Sequence, residues 1–273
     1  VTDSSSQIST GNRTPSLQAM TVGMGDAARQ IAFRRRAAKP GAPERPGIVW
    51  LGGFKSDMLS TKAERLDQWA ASEGRASLRF DYSGHGESGG LFEDGTIGSW
   101  LEDSLALIEA QTDGPQILIG SSMGGWISLL VARALAARGR EDKLAGMVLI
   151  APAVDFTEAL IWARLPESAR RDIETKGFWL RPTQYAPEAY PVTRALIEDG
   201  RRHLLLDGPV RSHCPVHILQ GMKDPDVPWE HAMTLVHQMA GDGVAVTLIK
   251  DGDHRLSREE DIARLLGAVA AIA

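Results

Sequence analysis

Cysteine is almost absent from this chain. Among 273 residues only Cys214 carries a thiol, which excludes an internal disulfide and a multi-cysteine zinc knuckle and fits a reducing compartment. Excess positive charge is missing as well: the formal net charge is −5, with acidic and basic residues interleaved. Without a basic face for phosphates or a polybasic anchor for anionic lipid, nucleic acid and stable membrane contact are not expected as partners. No apolar run approaches the length needed to cross a bilayer. The opening VTDSSSQISTGNRTPSLQ lacks the basic-then-apolar order of a signal peptide. We expect a polar N-terminal tail over residues 1–20 and a cytoplasmic protein. There is no internal repeat and no low-complexity block.

From about Gln30 the chain alternates short β-type runs with helical patterns. RQIAFRR, IVWLGG, ASLRFDYSG, QILIG and KLAGMVLIAPA read as strands. Between them, TKAERLDQWAASEG, IGSWLEDSLALIEAQ and GGWISLLVARALAARG carry apolar residues at helical spacing. This repeated βαβ order predicts an α/β fold, a mostly parallel central sheet with helices on both faces. The rhythm breaks from about Val154 to Ser212, where prolines punctuate short helical pieces and no β-type run occurs. A strandless stretch of that length reads as a functional insertion. We expect a small helical cap at about 154–212 inside one domain over 21–273. PVHILQG and VAVTLIK then resume the sheet, and a helix from about Arg258 to Ile272 closes the chain.

Candidate chemistry begins in QILIGSSMGGW. Gly120, Ser122 and Gly124 satisfy Gly-x-Ser-x-Gly with a strand before and a helix after. Ser121 fails, because its flanking positions are Ile119 and Met123. The glycines have a physical task, since a turn tight enough to present a strained serine leaves no room for side chains two residues away. For this strand–turn–helix serine the partners follow in the order acid, then histidine, on loops after later strands. Only His254, in KDGDHRLS, lies in a loop after the last predicted strand. In LQGMKDPDVP, Asp224 is close enough to the strand end to reach back over the sheet, and we favour it over Asp226. Asp251 and Asp253 sit too near His254 in sequence and read as turn residues. His85, in DYSGHGES, precedes the serine and reads as structural. The pattern predicts attack by Ser122, with His254 as base and Asp224 fixing the imidazole, through an acyl-enzyme. The oxyanion donors would be the backbone N–H of Met123 and, from the loop after IVWLGG, Phe54 in preference to Gly53. No metal is expected. His213, Cys214 and His217 crowd together, but on a strand Cys214 and His217 face opposite sides, and a buried thiol is the better reading.

GIVWLGGFKSDMLSTKA, LRFDYSGHGESGG, GPQILIGSSMGGW, QGMKDPDVPW and DGDHRL together resemble the serine α/β-hydrolase superfamily. Within it they are similar to the branch of mitochondrial acyl-glucuronide esterases and palmitoyl-protein thioesterases, in the form of a bacterial relative. The blocks span about Gly47 to Leu256. Carried over, the family's nucleophile, acid and base fall on Ser122, Asp224 and His254. The resemblance implies the α/β-hydrolase fold and cofactor-free cleavage of a small-molecule ester or thioester, or of an acylated protein. Substrate choice is expected in the cap, where Trp162, Leu165, Phe178 and Trp179 would form an apolar slot. Arg164, Arg170 and Arg171 read either as a carboxylate contact at its mouth or as a solvated helix face. Competing readings are an acyltransferase, a carbon–carbon hydrolase or peptidase on the same triad, and a non-catalytic binding relative, which should have lost a triad member.

Overall fold

The computed structural model describes residues 14–182, 189–241 and 243–272. Its core follows from three apolar runs. Strands β3 (Gly47–Leu51), β5 (Gln116–Ser121) and β6 (Leu144–Ile150) are buried almost throughout, as parallel strands covered on both faces must be. Successive side chains point to opposite faces. Ile48, Trp50, Ile117 and Ile119 pack with helix α1 (Thr61–Ser72) and the C-terminal helix (Glu259–Ile272). Val49, Leu51 and Leu118 pack with α2 (Ile97–Gln111) and α3 (Met123–Ala136) on the other side.

The remaining strands of the main sheet are β1 (Gln18–Val22), β2 (Arg29–Arg36), β4 (Ser77–Phe80), β9 (Val216–Gly221) and β10 (Val244–Ile249). Eight strands run in the order β1-β2-β4-β3-β5-β6-β9-β10. Strand β2 pairs antiparallel with β1 and β4, and every pairing from β4 to β10 is parallel. The expected α/β fold is therefore present, with one amendment at its start. Residues 1–13 lie outside the described residues, but the stretch read as tail already enters the sheet at Gln18, opposite Phe33. Its largely exposed QAMTV pattern suits an edge strand paired on one side only.

Between β6 and β9 the expected all-helical cap is corrected. It holds a π-helical turn (Thr157–Ile161), a 3-10 turn (Trp162–Arg164), α4 (Glu167–Lys176) and α5 (Arg194–Arg201). It also holds an antiparallel hairpin of β7 (Phe178–Arg181) and β8 (Tyr190–Thr193). Left-handed Gly177 (φ 88°) stops α4, and FWLR then has the aromatic content of a strand. Pro191 is tolerated because each strand of a two-stranded sheet is an edge. Residues 183–188 of the expected cap lie outside the described residues. The two ends of this segment are fastened together: the Asp155 carboxylate accepts the N–H groups of Leu205 (3.0 Å) and Leu206 (2.8 Å). Among the described residues, no helix is long and apolar enough to cross a membrane.

Candidate active site

Strand β5 delivers Ser122 to the carboxyl end of the sheet and α3 begins at the next residue. Ser122 has φ 54° and ψ −116°, a conformation non-glycine residues adopt only when the surroundings enforce it. The surroundings are explicit. The Ser122 N–H donates to the Ile150 carbonyl (2.8 Å), and its own carbonyl accepts from Gly125 (2.9 Å) and Ala153 (3.1 Å). A Cβ on Gly120 would run into the Gly124 carbonyl and Ser128 Oγ, and one on Gly124 into the Leu51 carbonyl. Both glycines are thus demanded by close approach, as the sequence spacing implied.

The loop after β10 carries His254 and the loop after β9 carries Asp224. His254 Nε2 lies 3.1 Å from Ser122 Oγ, and Nδ1 lies 2.7 Å from Asp224 Oδ2. A carboxylate only accepts, so Nδ1 bears the proton and Nε2 is left to accept from the serine hydroxyl. The Asp224 side chain is fully buried, and its Oδ1 accepts the N–H groups of Asp226 (2.9 Å) and Val227 (2.8 Å). The structure therefore brings together the three residues chosen from spacing. Asp226 instead pairs with Arg181 of the β7–β8 hairpin at 3.5 Å. Asp253 accepts the Leu256 N–H (2.9 Å) and Asp251 binds Arg258 (2.7 Å). Asp224, Asp226 and His254 offer ligand atoms within 4.8 Å of one another. Asp224 is already engaged by three donors, so the cluster is a hydrogen-bonded site before it is a cation site.

The single thiol and the His217 and His231 imidazoles each have their own surroundings. Burial pushes the half-buried Cys214 thiol up to about 12. His217 contacts Thr247 Oγ1 at 2.9 Å and His231 contacts the Val154 carbonyl at 2.8 Å.

Ser122 opens into a cavity of about 710 Å³. Met123 and Phe54, the expected oxyanion donors, both line it beside Ser122. Met123 is the first residue of α3, whose leading N–H groups have no partner within the helix. Gly53 packs against the turn, since a Cβ there would stand 3.4 Å from the Ser122 Cβ. Phe54 is locked by four rings, Phe92, Tyr190, Phe156 and Trp100, with centroids 4.9 to 5.9 Å away.

The expected substrate slot needs correction. None of Trp162, Leu165, Phe178 and Trp179 lines the cavity; between β6 and β9 its apolar wall is Phe156, Leu160, Ile161 and Tyr190. Leu165 is buried in the core, and Trp162 and Trp179 pack against that core from outside. Phe178 is exposed. Trp162 is further covered by the guanidinium groups of Arg201 (4.9 Å) and Arg170 (5.6 Å). Arg164, Arg170 and Arg171 do not line the cavity either. Its basic residues are Lys55, Lys62, Arg181 and Arg255. Burial pushes the Lys62 ammonium down to about 8. It donates to the Arg255 carbonyl and to Ser257 Oγ (3.3 Å), tying α1 to the loop that carries His254. The missed wall had a signal in VDFTEALI, whose apolar residues fall four and five apart on one turn after Asp155.

Comparison with known proteins gives a consistent result. The sequence profile of the alpha/beta hydrolase family matches residues 40–267. The human protein "Palmitoyl-protein thioesterase ABHD10, mitochondrial" is 39% identical over 222 residues, 81% of this chain and 71% of that protein. Among solved structures, a protein from Agrobacterium vitis S4 described only in general terms, as a hydrolase, superposes with a TM-score of 0.91 at 49% identity, covering 95% of this chain and 99% of its own. Mouse alpha/beta hydrolase domain-containing protein 10 gives a TM-score of 0.80 at 33% identity, over 93% and 98% of the two chains.

Proposed function

The chain belongs to the alpha/beta hydrolase family, and from that premise we propose that it is a serine esterase or thioesterase acting through an acyl-enzyme. The observation that carries the reading is the continuous Ser122–His254–Asp224 relay, 3.1 Å and 2.7 Å long, at the floor of a cavity with an apolar wall. In this reading His254 Nε2 takes the Ser122 proton as the oxygen attacks an acyl carbonyl. Asp224 holds the Nδ1–H tautomer and stabilises the imidazolium that forms. The Met123 and Phe54 N–H groups receive the oxyanion; His254 then protonates the leaving alcohol or thiol, and water releases the acid by the same steps in reverse.

The acyl group of the substrate would lie against Phe54, Phe156, Leu160, Ile161 and Tyr190, which suits an alkyl chain or aromatic acid. Relatives named palmitoyl-protein thioesterase support an acyl thioester, small or protein-borne, as the first class to test; acyl-glucuronide-like esters are the second. We read residues 154–212 as a cap inserted into a single domain, and the protein as cytoplasmic on the basis of its lone cysteine. Fractionation of cells would decide the location, with the mitochondrial relatives supplying the competing outcome.

The test is a panel of acyl thioesters, aryl esters and acyl glucuronides assayed against the wild type and Ser122→Ala. Turnover of at least one class by the wild type alone is the expected result; an equally active Ser122→Ala would end the proposal. A competing alcohol or thiol acceptor in the same assay separates hydrolysis from acyl transfer by its products.

A further inference from the structure

The loop from Gly52 to Ser60, between β3 and α1, carries Phe54, and its shape is imposed from one side. The short segment after β4 supplies three successive grips on its backbone. The Met58 N–H donates to Asp81 Oδ1 (2.6 Å), the Tyr82 hydroxyl donates to the Gly52 carbonyl (3.3 Å), and the Lys55 N–H donates to His85 Nε2 (3.1 Å). All three gripping side chains are buried, at 1 to 3% exposure. The third grip falls where the loop is most strained. Lys55 has φ 60°, a left-handed conformation that a lysine holds only if its neighbours enforce it.

The hydrogen bonding of His85 allows one protonation state. Its Nδ1 lies 3.2 Å from the Ser83 carbonyl, which also takes the Trp100 indole N–H at 3.1 Å. A carbonyl cannot donate, so Nδ1 bears the proton and Nε2 presents a lone pair to the Lys55 N–H. An imidazolium would set two N–H groups head to head there. Phe92, Trp100 and Tyr82 pack around the ring with centroids 5.1 to 5.6 Å away. Burial, with the Lys55 ammonium acting in the same direction, pushes the imidazole down to about 4.

We propose that His85 is a positioning residue for the ester- or thioester-cleaving site: by accepting the Lys55 N–H it fixes the bend immediately after Phe54, and so the direction of the Phe54 N–H toward the oxyanion. It touches neither substrate nor reacting atoms, and the inference rests on the reading of Ser122 as nucleophile and Phe54 as oxyanion donor. A donor displaced from the developing charge should weaken the transition state while leaving ground-state binding alone.

The experiment compares His85→Leu, which removes the acceptor at similar volume, with His85→Gln, whose amide oxygen can take the place of Nε2. On p-nitrophenyl butyrate, His85→Leu should lose kcat by about 10²- to 10³-fold, the cost of one oxyanion donor, with KM changed less than threefold. Affinity for an aryl trifluoromethyl ketone, which forms a tetrahedral oxyanion on serine, should fall by a matching factor. His85→Gln should recover at least tenfold of kcat. A folded His85→Leu with kcat within threefold of wild type overturns the inference. So does a loss confined to KM, or one without weaker ketone binding. Should His85→Leu not fold, imidazole ¹⁵N NMR of the wild type at pH 7 decides: a neutral Nδ1–H ring together with an active His85→Gln supports the assignment, and an Nε2–H ring or an inactive but folded His85→Gln overturns it. An inactive wild type, or an active Ser122→Ala, removes the underlying reading instead, and the role of His85 with it.

Discussion

Asp224 and His254 share a 2.7 Å hydrogen bond in which the carboxylate is wholly buried and the imidazole is still partly open to the cavity. The aspartate's second oxygen is occupied by two backbone N–H groups, so its orientation is set by the protein before substrate arrives. Asp224→Asn should leave the fold intact but place an amide N–H or a weaker acceptor against Nδ1. A loss of kcat of about 10⁴-fold is expected. Asp226→Asn, which alters the pairing with Arg181 and leaves the Asp224–His254 hydrogen bond in place, should cost less than tenfold. Steady-state kinetics on an aryl ester compares the two, and the reverse ranking would reassign the acid.

The two adjacent serines should separate as sharply. Ser122→Ala removes the atom within reach of His254 Nε2, and turnover should fall by on the order of 10⁴-fold or more. Ser121 is the last residue of β5 and is pinned into the sheet. Ser121→Ala should retain turnover within about tenfold, as a small-for-small change at a position without a chemical role. Labelling with a fluorophosphonate should follow the same order.

Acyl-chain preference should respond to the wall that lines the cavity and not to the tryptophans beside it. Leu160→Trp, which puts bulk into the apolar cap wall, should shorten the longest p-nitrophenyl ester accepted, seen as a rise in KM that grows with chain length. Trp162→Ala should lower thermal stability through lost packing and cation–π contact, by roughly 1–3 kcal/mol. Its chain-length profile should be unchanged.

Acid should weaken the fold through His85. Its imidazole is pushed down to about 4, whereas in the unfolded chain it titrates near ~6.5. The native state therefore binds fewer protons between those values. The stability His85 contributes is complete above about pH 6.5 and is lost as pH falls toward 4, by at most roughly 3 kcal/mol. Asp81 acts oppositely: desolvation pushes its carboxyl up to about 6, so its contribution is full below its unfolded value and fades as pH rises through 6. Denaturant titrations of wild type and His85→Gln from pH 4 to 7 should give a stability difference that shrinks on acidification.

The thiol should be nearly inert while the protein is folded. With Cys214 pushed up to about 12, little thiolate exists at pH 8. Reaction with a disulfide reagent should be slow in buffer and fast in denaturant. Prompt labelling of the native protein would contradict the burial described.

The candidate triad was legible because its chemistry leaves marks in the sequence. A turn that packs Gly124 on the Leu51 carbonyl admits no side chain, and loops after strands are where short polar motifs stand out. The apolar wall after Asp155 left only its spacing in the sequence, not its direction. Which face of VDFTEALI turns toward Ser122 depends on a π-helical turn at Thr157–Ile161, and a π turn shifts the register that helical spacing assumes. The hairpin β7–β8 escaped because four-residue strands show too few alternations to distinguish them from loop. Strand β1 escaped because an edge strand with one buried residue looks polar. The aromatics of FWLR have the composition of a substrate wall but not its position: along β7 the exposed and half-buried positions alternate, and only Arg181, at its end, reaches the cavity.

Asp155 gives the molecule a seam. One carboxylate clasps the chain as it leaves β6 to the chain as it nears β9, so the stretch between them leaves and returns as a closed loop. Ser122, Asp224 and His254 all stand outside that stretch. The segment is joined to the sheet at one fastening, while the loops that carry those three residues leave the sheet elsewhere.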